Sequence, residues 1–245
     1  MRKACLLSIY ELARRDDRVV FIGSDITKQN LEKFSAEYPD RFFMEGIYEA
    51  HIIGMAAGLA LNGKIPYINT IATFLTRRCY EQILVDLGLH NLPVRLLGSG
   101  GGTVYAPLGP THLANEDIAI LRAIPNMTIV APCDADEMGR LMPQTLNWNG
   151  PVYVRMAKGG DRIVSSDKHR FEIGKAIPVR EGSTTRSAAA ASAGFATPMP
   201  IPATMNPASR AVQPDPGESP CINARPPETR SSPPPINTRS GTRAA

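Results

Sequence analysis

FFMEGIYEAHIIGMAAGLALNG, Phe42 to Gly63, begins with an apolar run and passes into small and apolar residues at Ile52, Ile53, Ala56, Ala57, Ala60 and Leu61. That three-and-four spacing is one face of a helix, and Asn62-Gly63 supplies a stop, so the stretch predicts a strand leading into a helix from about Tyr48 to Leu61. Gly54 and Gly58 lower the helix's intrinsic stability but let another backbone or a flat ligand come close. One acid, Glu49, falls in its first turn. The positive end of the helix dipole favours an anion there by about 0.3–1 kcal/mol. An apolar interface would instead disfavour the charged form and keep a proton on the acid for donation. On the residues alone both readings stay open.

Outward from this stretch the same pairing of strand and helix repeats. Before it come a helix at Ala4–Arg15, a strand at Arg18–Asp25 and a short helix at Leu31–Tyr38. After it come a strand at Ile65–Ile71, a long helix from Phe74 to His90 and a strand at Leu92–Gly102 that ends in glycines. A Pro- and Gly-ordered loop, Pro107–His112, leads to a helix at about Glu116–Ala123. A strand at Met127–Pro132, a helix at Asp134–Leu146 and a strand at Pro151–Met156 complete the series. Such alternation predicts an α/β fold, a parallel sheet covered by helices on both faces. Sheets of this kind hold ligands beyond the carboxyl ends of their strands, which singles out Asp25, Glu49, Thr73, the Ser99–Gly102 loop, Asp134 and Arg155.

This pattern occupies residues 1–179 of a 245-residue chain. Residues 180–245 hold more than half of its 22 prolines, with much Ser, Ala and Arg, a composition that cannot bury enough apolar area to fold; disorder is expected there. The net charge of +4 is partly in that tail and no Lys/Arg cluster interleaved with aromatics occurs before it, so no nucleic-acid face is expected. Cys5, Cys79, Cys133 and Cys221 are far apart with no metal-ligand spacing, as in a reduced cytoplasmic protein. The N-terminal apolar run is broken by Glu11 and two arginines, and no stretch is long enough to span a membrane.

Three segments together carry a likeness: the opening stretch, TIATFLTRRCYEQI (Thr70–Ile83) and APLGPTHLANEDIAILRAIPNMTIVAPCDADE (Ala106–Glu137). In order and spacing they resemble the pyrimidine-binding domain of the transketolase family, over about residues 1–177. The resemblance implies thiamine diphosphate as cofactor, with Glu49 the carboxyl that hydrogen-bonds N1′ of its pyrimidine. It implies Phe74 and Tyr80 as the aromatic positions that hold the ring flat; packing in the core is the alternative for either, and more so for Tyr80. His112 in GPTH resembles the family's substrate-facing histidine. Asp134 matches a position near substrate hydroxyls, and as the residue opening a helix it is also a natural N-cap. Arg155 at a strand end is a candidate for a substrate phosphate, and Asp25 lies near the cofactor in this reading. His51 and His90 read as structural. Arg77 departs from transketolases in the strict sense and is closer to 1-deoxyxylulose-5-phosphate synthases and to short two-chain relatives, which leaves the substrate open.

Two familiar parts are missing from the sequence. The Gly-Asp-Gly followed downstream by Asn that binds magnesium and diphosphate in this family does not occur, and Gly100–Gly102 carry no carboxylate to replace it. The resemblance therefore implies a separate diphosphate-binding subunit, which brings Mg2+, in a heterotetramer of two copies of each chain. Family-like sequence also stops near Glu181-Gly182 where a C-terminal domain usually follows; a frameshift in a GC-rich gene or a genuine linker-like tail would produce this. The activity implied is transfer of a two-carbon ketol unit between sugar phosphates. A synthase-like condensation of pyruvate with an aldehyde, and a non-catalytic subunit that keeps the fold, are the alternatives.

Overall fold

The computed structural model describes residues 1–24 and 30–178. The expected disorder of the tail and the expected role of Asp25 both fall outside these residues. Six strands, β1 (Val19–Gly23), β2 (Phe42–Met44), β3 (Ile65–Ile71), β4 (Arg95–Ser99), β5 (Thr128–Val130) and β6 (Val152–Met156), form one sheet in the order β2-β1-β3-β4-β6-β5. Every pairing is parallel, with Phe21 beside Phe42 and Tyr67, and Leu97 beside Asn69 and Val154. A strand covered on both sides reads as a continuous apolar run, and VVFIG of β1 is buried at all positions.

The pleat divides the core in two. Val19, Phe21, Tyr67, Leu97, Val152 and Val154 pack with α1 (Arg2–Ala13), α7 (Ala135–Thr145) and Phe34 of α2 (Glu32–Glu37). Val20, Ile22, Ile68, Leu96, Ile129 and Tyr153 pack on the other face with α3 (Glu49–Leu61), with Leu75 of α4 (Ala72–Thr76) and with Leu121 of α6 (Asp117–Leu121). This is the α/β architecture that the alternation predicts. In α3 the residues of the small-and-apolar face, Ile52, Ile53, Ala56, Ala57 and Ala60, are the buried ones.

The long helix expected from Phe74 to His90 is broken. It consists of α4, a short turn α5 (Tyr80–Gln82) and a π-helical segment, Ile83–Leu89. At the break Cys79 adopts φ −109° and ψ 17°, outside helical geometry. The two residues before it are drawn apart: the Arg77 guanidinium pairs with Glu116 at 3.0 Å, and that of Arg78 with Glu49. Further on, the π-helical register sets Gly88 against the chain after α6. A Cβ there would lie 2.5 Å from Cγ2 of Ile124 and 3.2 Å from the carbonyl oxygen of Pro125. Gly88→Ala should therefore destabilise the chain by about 1–3 kcal/mol through overpacking. Urea unfolding would check this, and a midpoint equal to that of the parent chain would count against the close approach.

Candidate active site

β2 ends at Met44, and the chain turns through Gly46, whose φ of +72° an L side chain rarely adopts. Tyr48 is left 70% exposed, yet Glu49, the next residue and the first of α3, is only 2% exposed. The acid thus enters the protein at the helix's N-terminus and needs a partner there. Arg78 is that partner: its Nη1 donates to Glu49 Oε2 at 2.5 Å. The same guanidinium lies over the ring of Phe74, 4.4 Å from its centroid. On the ring's other contact, the imidazole of His112 meets Phe74 edge-on at 5.1 Å and 65°.

Glu49, Phe74 and His112, named from three separate segments, are therefore one cluster, and Arg78 is the member that sequence reasoning missed. It stands beside Arg77 in TFLTRRCY, and nothing in the spacing says which of two adjacent arginines turns inward. The carboxyl ends of β1, β3 and β4 carry a set of buried polar groups. Ser24 Oγ donates to Thr70 Oγ1 at 3.1 Å, and Asn69 Nδ2 donates to the Leu97 carbonyl at 2.7 Å and to Ser99 Oγ at 3.2 Å. Asn69 Oδ1 and the Thr73 hydroxyl are buried without a protein partner. Cys79 lies close by, and its thiol is pushed up to about 12, first by burial and then by the negative charge of Glu49. It stays protonated and is no nucleophile at neutral pH.

The remaining named residues hold the frame. Tyr80 is half-buried and packs against the apolar core on the α3 side. Arg77 ties the histidine-bearing loop by donating to the Pro110 carbonyl at 3.3 Å while it pairs with Glu116, and it keeps 44% exposure. Arg155 Nε donates to buried Asp117 at 2.8 Å, where the Tyr153 hydroxyl also donates, and Nη2 reaches the Ala114 carbonyl at 3.3 Å. Burial and then the Asp117 charge raise the Tyr153 hydroxyl well above its usual value. A Cβ on Gly101 would lie 2.7 Å from Arg155 Cγ, so the glycine turn is filled by this side chain and is no open phosphate cradle. Gly102 and Ala114 exchange backbone bonds of 2.8 and 3.0 Å, closing the loop that presents His112.

Asp134 is wholly buried and caps α7. Oδ1 accepts from the backbone of Asp136 and Glu137 and from Ser165 Oγ, and Oδ2 accepts from the backbone of Val164 and Ser165 at 2.8 and 2.7 Å. Of the two readings open in the sequence, the geometry carries the N-cap; both oxygens are already engaged. A cavity of about 530 Å³ lined by Lys3, Leu7, Tyr10 and Phe34 belongs to the α1 and α2 side and contains none of the clustered residues. No group of His, Cys, Asp and Glu among the described residues could hold a metal ion, nor is any helix among them long and apolar enough to cross a membrane.

A buried acid at a helix N-terminus, an arginine, an aromatic ring and a loop histidine from three separate segments thus meet in one place. Residues 1–160 match the family described as transketolase, pyrimidine binding domain. The chain belongs to the transketolase family. It is 36% identical over 175 residues to the 6-deoxy-6-sulfo-D-fructose transketolase subunit SqwH of a Clostridium species, an alignment covering 71% of this chain and 54% of that one. To the 1-deoxy-D-xylulose-5-phosphate synthase of Clostridium perfringens it is 41% identical over 174 residues, 70% of this chain and 28% of the synthase. Among solved structures, a split-gene transketolase described as an inactive β4 tetramer superposes with a TM-score of 0.65 at 32% identity, covering 74% of this chain and 59% of the other. This transketolase-family chain thus spans about half the length of its short relatives and less than a third of the synthase.

Burial opposes the charge on Asp134, but the backbone N–H groups of Glu137, Ser165 and Val164 and the Ser165 hydroxyl outweigh it and hold the carboxyl well below the usual range. A lowered folded value makes this a stabilisation fully present above the unfolded-state pKa of about 3.9 and lost as pH falls below it. Asp134→Ala should cost about 2–4 kcal/mol at pH 7, from the lost cap and the orphaned donors. In urea titrations the gap between parent and variant should narrow below about pH 4; a gap that is independent of pH would remove the ionised cap from this account.

Proposed function

We propose that this chain is the pyrimidine-binding half of a thiamine diphosphate-dependent transketolase-type enzyme that moves a two-carbon ketol unit between sugar phosphates. The observation that carries the reading is the buried Glu49 carboxylate, linked through the Arg78 guanidinium to the face of Phe74, whose ring His112 also meets. The residues fit the pyrimidine: a flat group hydrogen-bonded to Glu49 while lying on Phe74 is accommodated there in the form of the Arg78 guanidinium. Bound thiamine diphosphate would supply a nucleophilic carbon, activated by the cofactor's own 4′-amino group. Glu49 would hold and donate the proton at the ring's N1′, in a site sheltered from water by the apolar face of α3. Phe74 would keep the ring flat. His112, whose Nδ1 is engaged by Thr111 Oγ1 at 2.9 Å, would turn Nε2 to the oxygens of the sugar donor. Of the two arginines raised for the substrate, Arg77 has the more exposed side chain and is the one we assign to a substrate phosphate, and Arg155 is left as the brace of the His112 loop.

The diphosphate half, with its Mg2+, is assigned to a separate subunit in a heterotetramer, and the cytoplasm is the expected compartment. The naming of a relative as a transketolase subunit supports this reading, as does the description of a split-gene neighbour as inactive in a β4 assembly. The 41% identity to a 1-deoxy-D-xylulose-5-phosphate synthase favours a second reading, in which pyruvate is condensed with an aldehyde on the same site. In calorimetry with Mg2+ present, thiamine diphosphate should bind tightly only when this chain is mixed with a Gly-Asp-Gly-bearing transketolase subunit. Glu49→Gln should then lower turnover of the mixture by about 10²–10⁴-fold, the range of general acid–base contributions. Undiminished turnover would overturn the assignment, and cleavage of a ketose phosphate against decarboxylation of pyruvate separates the two readings.

A further inference from the structure

Arg78 does more than neutralise Glu49. Its guanidinium is planar, donates to the Glu49 carboxylate at 2.5 Å and lies on the Phe74 ring at 4.4 Å. Those are the two contacts assigned above to the aminopyrimidine ring: a hydrogen bond with Glu49 and a flat face against Phe74. One side chain of the protein therefore occupies both, and the two groups cannot share them. We infer that Arg78 is an internal occupant of the pyrimidine subsite, which competes with the cofactor ring for Glu49 and must swing out before the ring can dock.

The local structure provides for that movement. Arg78 sits at the break between α4 and α5, where Cys79 has left helical geometry, and its side chain is 43% exposed while that of Glu49 is 2% exposed. The arginine can exchange carboxylate for water; the acid cannot, because its own side chain is buried. Leaving Glu49 charged and unpaired is costly, so an unliganded chain keeps the arginine in place. Of the cations the protein has, a guanidinium suits this part because it stacks and hydrogen-bonds together, as a lysine ammonium does not.

The inference rests on the assignment of Glu49 and Phe74 to the pyrimidine, and the test separates the two. Thiamine, the probe without diphosphate, is titrated by calorimetry into the full chain, into Arg78→Met and into Arg78→Lys. Removal of the internal competitor should tighten binding at least tenfold in Arg78→Met. Arg78→Lys, which keeps the charge and a fold-preserving partner for Glu49, should give a smaller gain, and adding Glu49→Gln to Arg78→Met should abolish it. Equal affinity in parent and variants, or folded variants that bind no thiamine, would overturn the inference. In that event thermal melts of Glu49→Gln, Arg78→Met and the double variant assign the failure. Non-additive shifts would show that the ion pair exists and that the pyrimidine assignment failed. Additive shifts would show that the pair itself is not formed in solution.

Discussion

A carboxylate placed inside the first turn of a buried helix is the constraint from which the rest of this site follows. The α3 face that packs on the sheet is made of isoleucines and alanines, so it draws Glu49 out of water along with its neighbours. The helix dipole and an arginine then have to supply what water no longer does. Meeting that demand from Arg78 requires the segment after β3 to leave helical geometry at Cys79. The break in turn separates α4, which carries Phe74, from the helical turns that return along the core. One buried acid thereby accounts for the interrupted helix, the stacked guanidinium and the position of the aromatic ring.

The histidine loop is held by a different device. A parallel sheet delivers its loops at one end, but delivery alone leaves a run such as Gly100–Gly102 free to move. Here Asp117 is buried at the start of α6 and gathers the Tyr153 hydroxyl and Arg155 Nε, each at 2.8 Å, so that β6 is tied to the loop's far side. The glycines let Arg155 lie against the backbone, and the backbone bonds between Gly102 and Ala114 close the loop. The site is thus assembled by two ion pairs, one reaching α3 and the other reaching the loop, and in each a buried carboxylate faces a partly exposed arginine.

Much of this was legible in the sequence because the period of the apolar residues carries it. The strands VVFIG and IPYINTI and the helix Glu49–Leu61 are set by burial, and burial leaves a pattern. Glu49, Phe74 and His112 could be named because their segments resemble a family in order and spacing. What the sequence withheld depends on direction rather than period. Arg77 and Arg78 are adjacent and chemically alike, yet one turns to Glu116 and the other to Glu49. The break at Cys79 has no proline or glycine to announce it. Asp134 was raised for substrate by the resemblance and Arg155 by its place at a strand end, positions equally suited to capping and bracing, and their partners in the structure show a cap and a brace.

The distribution of donors and acceptors bears on why such a chain would work in company. In the proposed function the cluster offers a ring an acid for its nitrogen and an aromatic face, and offers the sugar donor a histidine. Among the described residues, the glycine turn in the neighbouring loop is filled by Arg155 instead of standing open to an anion. In that reading, a cofactor with a heterocycle at one end and a diphosphate at the other would find partners in this chain for the first end. A site so divided gains its full binding energy only when both halves are in place, since each contact made by one half prepays the ordering of the molecule for the other. Under that arrangement a half that remained open would expose a buried acid to no purpose, and a side chain that fills the ring's place in the meantime is what the burial of Glu49 would demand.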